Sequence, residues 1–398
     1  MIVVIADDLT GAGEIGGIGL AYGLSVELQR DFFPGSDAEL LVIDTDTRSC
    51  SPDEAKRVMR DVAQCLNASQ RSIEWIYKKT DSVLRGPVAS ELEALLDVMK
   101  VERALLVPAN PSKGRTLSNG NYRINGTLLS ETDFADDPEY PARTSNVLEL
   151  PAFSGSYQIY LLKYGQPFLY KGIVIGQAET SEDLTQWSKR MDEQTMMAGA
   201  GEFFEAILKR KGFSKRQNAD KSDGRLGNKA LFVCGSSSKS SRQALQTAES
   251  LGGKVCRMPE ALFRSDAPEE ALFQQWSDAV ISGFEQWNTV IVAIDHDVVK
   301  NTEFAGKLRR RMARIVSSVL EKMPVKELFV EGGATASEVV DCLGWNRFEP
   351  CDSLADGVVR MKVWGREQTY LTIKPGSYPW PHHLWKKELF ERQSIEDL

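Results

Sequence analysis

Residues 1–17 read MIVVIADDLTGAGEIGG, and this stretch decides the fold. Residues 2–6 form a short apolar run rich in β-branched side chains, which is typical of a strand buried on both faces of a parallel sheet. The carboxylates of Asp7 and Asp8 follow the strand, and Gly11 begins a glycine-rich segment with helical character. Because open α/β sheets bind ligands beyond the carboxyl ends of their strands, we interpret this strand end as a candidate site.

The loop at Gly11 is compatible with several functions. Residues 11–16 satisfy G-x-G-x-x-G, but that dinucleotide fingerprint normally follows its strand directly, and Asp7 and Asp8 would repel a pyrophosphate. A phosphatase of the D-x-D type is disfavoured because neither acid is followed two residues later by another Asp. A site for a polar ligand or Mg²⁺ stays open, and so does an ordinary capping loop.

Composition argues against some classes of function. The chain has 398 residues, which predicts two or three domains, and a net charge of −8, which argues against non-specific binding of nucleic acid. No apolar run reaches the length of a membrane span, no basic leader precedes the first strand, and the six cysteines form no C-x-x-C pair. We expect a cytoplasmic protein with free thiols and no nucleic-acid or membrane partner, and a homo-oligomer is compatible with the sequence.

Strand and helix signals alternate along both halves of the chain. In the first half the predicted strands lie at 24–28, 39–43, 75–78 and 104–107, and the helices at 52–65 and 89–99. In the second half the strands lie at 230–234, 289–294 and 327–330, and the helices at 241–251, 303–322 and 336–343. The polar stretch 214–228, SKRQNADKSDGRLGN, is typical of a linker. We therefore predict an α/β protein with two α/β domains, 1–213 and 229–398, each with a largely parallel sheet flanked by helices.

Polar clusters follow four predicted strands of the first half, at 7–11, 44–48, 78–86 and 108–116. If these strands are parallel, the clusters lie along one edge of the sheet. Together they offer carboxylates, hydroxyls and cations, a mixture that suits a small substrate with hydroxyl groups and a carboxylate, which Arg binds bidentately. The segment 110–141 is long for a loop and is either a lid or an ordered surface loop. The candidate site residues are Asp7, Asp8, Thr10, Gly11, Arg48, Lys79, Asp81, Ser82, Arg85 and Arg115.

Three glycine-containing loops characterise the second half, at 234–241, 331–337 and 374–377. Backbone N–H groups in such loops bind phosphate together with a helix N-terminus. No Walker A motif occurs, so a nucleotide would be held without the usual P-loop. One such loop alone is more often an ordinary helix entrance, but three in one domain favour phosphate binding.

These motifs together resemble the four-carbon acid sugar kinases, a family that includes D-threonate, D-erythronate and 3-oxo-tetronate kinases. The resemblance is carried by residues 6–12 (ADDLTGA), 47–48 (TR), 78–86 (KKTDSVLRG), 108–141, 198–201 (AGAG) and 332–335 (GGAT). It implies a two-domain kinase whose N-terminal domain binds a sugar acid and whose C-terminal domain binds ATP, with Mg²⁺ as cofactor. The ATP phosphates would lie at Ser236, Ser238, Gly332, Gly333, Ala334, Thr335 and Gly376.

The main hypothesis is therefore ATP-dependent phosphorylation of a hydroxyl on a short acid sugar. Asp8 or Asp81 would orient the hydroxyl and take its proton, and Arg48, Lys79 and Arg85 would hold the substrate's carboxylate or the transferring phosphoryl group. Two alternatives stay open. Ala334 stands where this family favours Glu, which motivates a non-catalytic sugar-acid sensor, and the paired acids motivate a Mg²⁺-dependent phosphatase. The residues that would ligate the metal are not identified.

Overall fold

The computed structural model describes residues 1–69, 71–137, 139–168, 171–216, 229–236, 238–264, 270–296, 302–376, 378–381 and 384–392. The chain divides into two compact units, Met1–Gln217 and Asn218–Leu398. Most of the predicted linker lies outside the described residues, so the linker and the domain boundaries around it stay predictions. All six cysteines are free thiols, as expected. Among the described residues, no helix combines the length and the apolar character needed to cross a membrane.

The first unit contains a parallel sheet with helices on its faces. Its strands are β1 (Ile2–Ala6), β2 (Val26–Gln29), β3 (Leu40–Asp44), β4 (Trp75–Lys79), β5 (Arg103–Val107), β6 (Arg115–Ser118), β7 (Asn121–Ile124), β8 (Thr127–Leu128), β9 (Ile159–Leu162), β10 (Gly172–Gly176) and β11 (Thr195–Gly199). Its helices are α1 (Leu9–Ala21), α2 (Pro52–Ala68), α3 (Val88–Met99), α4 (Ser181–Ser188) and α5 (Gly201–Arg210). The main sheet has the order β2-β3-β1-β4-β11-β5-β10-β9, and every neighbouring pair in it is parallel.

The register of this sheet brings the predicted polar clusters together. Ala6 lies opposite both Asp44 and Lys79, so β1, β3 and β4 end at the same level. The cluster after β5 lies farther along the same edge, because β11 pairs with both β4 and β5. The prediction that the clusters share one edge of a parallel sheet is therefore confirmed.

Helices pack against both faces of the sheet, because successive side chains of each strand point to opposite faces. Val3 and Ile5 belong to a buried cluster with Met59 of α2 and Leu92 of α3. On the other face, Tyr77 of β4 contacts the rings of Phe203 and Phe204 of α5. Helices thus flank the sheet as predicted, and central strands such as β1 and β3 are buried on both faces.

The segment 110–141 contains regular structure that the sequence analysis did not predict. Strands β6, β7 and β8 form a small antiparallel sheet within it, followed by short 3₁₀ helices. The two hairpins turn at Asn119-Gly120 and Asn125-Gly126, and all four of these residues have positive φ. Asn-Gly is the strongest short-range hairpin signal, so the two dipeptides could have revealed this sheet.

The second unit contains a mixed sheet. Its strands are β12 (Ala230–Cys234), β13 (Lys254–Arg257), β14 (Thr289–Ala293), β15 (Glu327–Glu331), β16 (Arg347–Ala355), β17 (Val358–Val363) and β18 (Tyr370–Lys374). Its helices are α6 (Lys239–Ser250), α7 (Glu260–Arg264), α8 (Glu270–Gly283), α9 (Thr302–Lys322) and α10 (Gly333–Cys342). The order β13-β14-β12-β15-β18 is parallel, and β17 and β16 continue it in antiparallel fashion. The predicted largely parallel α/β domain is therefore present, with an unpredicted antiparallel edge.

Candidate functional site

Arg48 connects the acids at the carboxyl edge of the first unit's sheet. Its Nε donates to Asp7 Oδ2 over 2.8 Å, and its Nη1 donates to Asp8 Oδ2 over 2.6 Å. Its Nη2 lies 3.8 Å from Asp81 Oδ1. All three acids are buried, so one guanidinium neutralises carboxylates from two separate loops. The structure thus brings together four residues that the sequence analysis selected.

Asp8 also caps helix α1. Its Oδ1 accepts a hydrogen bond from the backbone N–H of Gly11 over 2.8 Å, and its Oδ2 accepts one from the Thr10 hydroxyl over 2.5 Å. A Cβ at Gly11 would lie 2.7 Å from Asp8 Oδ1 and 3.0 Å from Lys79 Nζ. Glycine is therefore required there by the close approach of two site side chains.

Arg85 binds the Asp81 carboxylate bidentately. Arg85 Nε donates to Asp81 Oδ2 over 3.0 Å, and Nη2 donates to Oδ1 over 2.9 Å. Its third nitrogen, Nη1, donates to Asp137 Oδ2 over 3.2 Å. The sequence analysis did not select Asp137, which joins the segment after β8 to the loop after β4. Both acids keep Arg85 in one orientation.

Arg115 at the start of β6 lies beside the same loop. Its Nη1 donates to the hydroxyl of Ser82. The ring of Phe134 lies 5.9 Å from Arg115 Cζ and 5.5 Å from Arg85 Cζ, so one aromatic face is near two guanidinium groups. Such cation–π contacts favour a defined position for each cation.

Glu14 is a site residue that the sequence analysis missed. Its carboxylate lies 3.2 Å from Lys79 Nζ and 2.7 Å from Lys113 Nζ. The three residues come from α1, β4 and the loop after β5, so no local sequence pattern links them. The one feature of the sequence that could have indicated Glu14 is that it is an acid within the glycine-rich segment 11–17, close to the end of the first strand.

Nearby cations keep the carboxylates of Asp7, Asp81 and Glu14 ionised. Burial raises the pKa of Asp7 and of Asp81, but the nearby cations outweigh burial and lower both pKa values below their ordinary range. For Asp7 the main cation is Arg48, and for Asp81 it is Arg85. Burial likewise opposes ionisation of Glu14, yet Lys79 and Lys113 lower its pKa to about 2. The site is thus a network of fixed charges of both signs.

The three glycine loops of the second unit converge. They follow β12, β15 and β18, which are adjacent parallel strands. A Cβ built on Gly376 would lie 3.7 Å from Ser236 Oγ and 3.8 Å from the Cα of Gly332. These are ordinary contact distances, so packing against Ser236 and Gly332 does not require a glycine at position 376. Because Gly376 has no side chain, the backbone of this loop is exposed to a ligand.

Helix N-termini begin at two of these loops. Ser238 caps α6 by accepting from Ser241 N over 3.2 Å, and Gly332, with φ of 94°, precedes α10. Gly333, Ala334 and Thr335 form the first turn of α10. Helix N-termini and bare backbone N–H groups bind phosphate, so the predicted phosphate residues lie on suitable elements.

A buried ion pair lies at the ends of β15 and β18. Lys374 Nζ is 3.3 Å from Glu331 Oε1, and each side chain is 1% exposed. Lys374 also donates to the carbonyls of Pro375 and Tyr378, over 3.0 and 2.5 Å, and so shapes the third glycine loop. Ser241 donates to Glu331 over 3.2 Å, which ties α6 to the same pair.

The acidic and other metal-ligating side chains determine how the protein could bind Mg²⁺. Within the described part of the chain, no group of three or more His, Cys, Asp or Glu side chains could hold a metal ion. Mg²⁺ is usually bound by one or two carboxylates together with substrate phosphates and water rather than by an all-protein cage. Glu331 lies beside the glycine loops, but it is buried and paired with Lys374 and Ser241, so the described residues identify no carboxylate that is free to take a Mg²⁺ arriving with a phosphate ligand.

Comparison with known proteins identifies the family. A model described as a sugar-binding N-terminal domain matches residues 2–207, slightly more than half of the chain, and one described as a nucleotide-binding C-terminal domain matches residues 231–378. The chain belongs to the four-carbon acid sugar kinase family. The resemblance drawn from the sequence motifs is thereby confirmed.

Relatives of this four-carbon acid sugar kinase family member cover most of its length. It is 26% identical over 376 residues to the D-threonate kinase of Salmonella typhimurium, covering 86% of each chain. It is 24% identical to the 3-oxo-tetronate kinase of Pectobacterium atrosepticum, covering 94% of this chain and 95% of the relative. A solved structure of a Haemophilus influenzae protein superposes with a TM-score of 0.70 at 21% identity, covering 98% of this chain and 100% of that one, and it shows the fold.

Proposed function

We propose that this protein is an ATP-dependent kinase that phosphorylates a hydroxyl group of a four-carbon acid sugar. The observation that carries the proposal is the convergence of the loops at Ser236, Gly332 and Gly376 on adjacent strand ends of the second unit. The proposal is also supported by the relatives, two of which are named D-threonate kinase and 3-oxo-tetronate kinase. The exact acid, a cytoplasmic location and a homo-oligomeric state stay predictions.

In this proposal Asp8 orients the reacting hydroxyl and takes its proton. A general base works best when its pKa lies near the working pH. The lowered pKa of Asp81 and the two hydrogen bonds that it accepts from Arg85 make Asp81 a poor general base and suit it to positioning. Asp8 accepts hydrogen bonds from three donors, and an ionised carboxylate has about four acceptor positions, so one position remains for the substrate hydroxyl.

The remaining first-unit residues bind and orient. Phosphoryl transfer depends mainly on positioning and on neutralising charge. Arg85, fixed by two acids, would stabilise negative charge, and Arg48 and Lys79 would balance the acids around the substrate. Asp7 retains an unpartnered buried oxygen, Oδ1, that can accept a substrate hydroxyl, while Thr10, Gly11 and Ser82 form the neighbouring polar surface.

The second unit would hold the phosphates of ATP. The proposed contacts are the backbone N–H groups of Gly333, Ala334, Thr335 and Gly376 and the hydroxyls of Ser236 and Ser238. The N–H of Gly332 donates to Lys374 O over 2.8 Å, so Gly332 would contribute the close approach of its bare backbone rather than a hydrogen bond. Mg²⁺, when bound, would neutralise phosphate charge.

The test is ADP release from Mg²⁺–ATP across D-threonate, D-erythronate and other C4 to C6 sugar acids, with no-substrate controls. We expect turnover on a four-carbon acid, and Asp8→Asn should lower kcat by roughly 10²–10⁴-fold, the usual range for a general base. The exposed Asp37 supplies the matched control, Asp37→Asn, which should leave turnover unchanged.

Each negative result has a defined meaning. Binding of a sugar acid without any binding of Mg²⁺–ATP in calorimetry would replace the kinase with the sensor. Hydrolysis of phosphate esters without ATP would replace it with the phosphatase. Near-wild-type turnover in Asp8→Asn would remove the proposed base while leaving the kinase in place.

A further inference from the structure

The charges of the first unit's site pair off almost completely among the described residues. Each acid there has a cation within ion-pair distance, and nearly every cation has an acid. The pairs are Arg48 with Asp7 and Asp8, Arg85 with Asp81 and Asp137, Lys79 and Lys113 with Glu14, and Lys78 with Glu91.

Arg115 is the exception in this part of the chain. No carboxylate of the described residues lies within ion-pair distance of it, and its contacts are the Ser82 hydroxyl and the Phe134 ring. Its backbone is held firmly, because Arg115 N donates to Asn110 O over 3.1 Å and Asn110 N donates to Arg115 O over 2.8 Å. Arg115 is therefore a half-buried residue on a hydrogen-bonded hairpin, and most of the five N–H donors of its guanidinium make no hydrogen bond to the described residues.

We propose that Arg115 is the anchor for the carboxylate of the acid sugar. The inference rests on the proposed function and names the residue that recognises the acid group. Recruiting Arg48 or Arg85 for this task would break ion pairs with buried acids, which is costly because it leaves a buried charge uncompensated. Arg115 gives up only a neutral hydroxyl.

The same arrangement determines which sugars fit. The N–H donors that Arg115 leaves unused can take one carboxylate, so the site should select acids over neutral polyols of the same length. Lys79 and Lys113 lie 3.2 and 2.7 Å from the Glu14 carboxylate, so neither ammonium could replace Arg115 without giving up an ion pair. Phe134 serves as a positioning residue that keeps the Arg115 guanidinium beside Ser82.

The experiment compares each acid with the polyol that lacks its carboxylate: D-threonate with D-threitol, and D-erythronate with erythritol. Calorimetric binding and KM in the ADP-release assay are measured for the wild type, Arg115→Gln and Arg115→Lys. The matched control is Arg123→Gln, because Arg123 lies on the neighbouring strand β7 and donates to Gly126 O. Mg²⁺–ATP affinity and thermal unfolding report whether each variant is folded.

We expect the wild type to bind the acid better than the polyol by roughly 10- to 100-fold, the usual effect of a charge-assisted hydrogen-bonded pair. In Arg115→Gln this ratio should fall to near one, mainly through KM for the acid, while Mg²⁺–ATP affinity stays unchanged. Arg115→Lys should restore part of the ratio, because Lys keeps the charge without the planar fork. Arg123→Gln should keep the full ratio.

Three outcomes would overturn the anchor. A wild type that turns over acid and polyol equally well refutes it even if Arg115→Gln does not fold. An acid-to-polyol ratio that survives in Arg115→Gln refutes it while leaving the kinase intact. A wild type that neither binds nor phosphorylates any acid refutes the proposed function and the anchor with it.

Discussion

Lys78 and Glu91 form an ion pair, 3.1 Å between Nζ and Oε2, in which the two side chains are 0% and 1% exposed. Lys78 lies on β4 and Glu91 on α3, and Glu91 also accepts a hydrogen bond from the hydroxyl of Thr47. Thr47 directly precedes Arg48, whose backbone N–H donates to Asp7 O over 3.1 Å. The buried pair thus joins the strand, the helix and the loop that carry the site's acids and guanidinium.

Removing one member of this pair should destabilise the protein. Glu91→Leu leaves a buried ammonium without its partner, and we expect a loss of about 3–5 kcal/mol in the free energy of unfolding. The double variant Lys78→Met, Glu91→Leu should recover most of that loss, because no buried charge remains. Urea denaturation measures both. As a control, Arg71→Gln breaks the exposed pair with Asp37 and should change stability by less than about 1 kcal/mol. A double variant as unstable as Glu91→Leu would contradict the prediction.

The contribution of Glu14 to stability should depend on pH. Its pKa falls from 4.5 to about 2 in the folded protein, because Lys79 and Lys113 outweigh its burial. A folded pKa below the unfolded one stabilises the protein above pH 4.5, and this contribution is lost as the pH falls toward the folded value. We expect Glu14→Gln to cost about 3 kcal/mol at pH 7 and less than half of that at pH 3. Urea denaturation of both proteins at the two pH values tests this, and an unchanged gap would refute it.

The two glycines at the ends of α10 should respond differently to substitution. Gly332 before the helix has φ of 94° and Gly344 after it has φ of 65°, and in both positions an alanine has room but a strained backbone. We expect each alanine variant to lose roughly 1–2 kcal/mol of stability. Only Gly332→Ala should also weaken Mg²⁺–ATP binding, by roughly tenfold, because it moves the proposed phosphate loop. Calorimetry beside thermal unfolding separates the two effects, and equal loss of binding in Gly344→Ala would show that the effect is not local.

Local patterns predicted most of the parallel strands. The strand predicted at 2–6 is β1 and the one predicted at 230–234 is β12, with unchanged bounds. Pro52 begins α2, at the residue where the predicted helix 52–65 begins, and Ser51 caps it with Glu54 in a reciprocal capping box. Such features depend on side chains within a few residues of one another. Strands β16 and β17 were missed, because alternation on a half-buried antiparallel edge is a weaker signal than a continuous apolar run. The parallel strands β9, β10, β11, β13 and β18 were missed as well, because a run of four or five residues does not distinguish a short strand from other structure.

The candidate site was predicted as a group but not as a set of pairs. Asp8, Arg48 and Asp81 do lie together, as the shared strand edge required. Glu14 and Asp137 were not selected, since each meets its partners across 52 or more residues of chain and no local pattern marks them.

The sequence by itself determined the order of strands, loops and helices, the polar clusters at the strand ends and the family. These follow from residue types and spacings within short windows, where backbone preferences and burial act directly. Only the tertiary structure decided which cation neutralises which acid, and therefore that Arg115 keeps its charge without a carboxylate partner among the described residues. The physical reason is that the order β3-β1-β4-β11-β5 and the Asn-Gly hairpins bring distant residues within a few ångströms, and ion pairing depends on that distance.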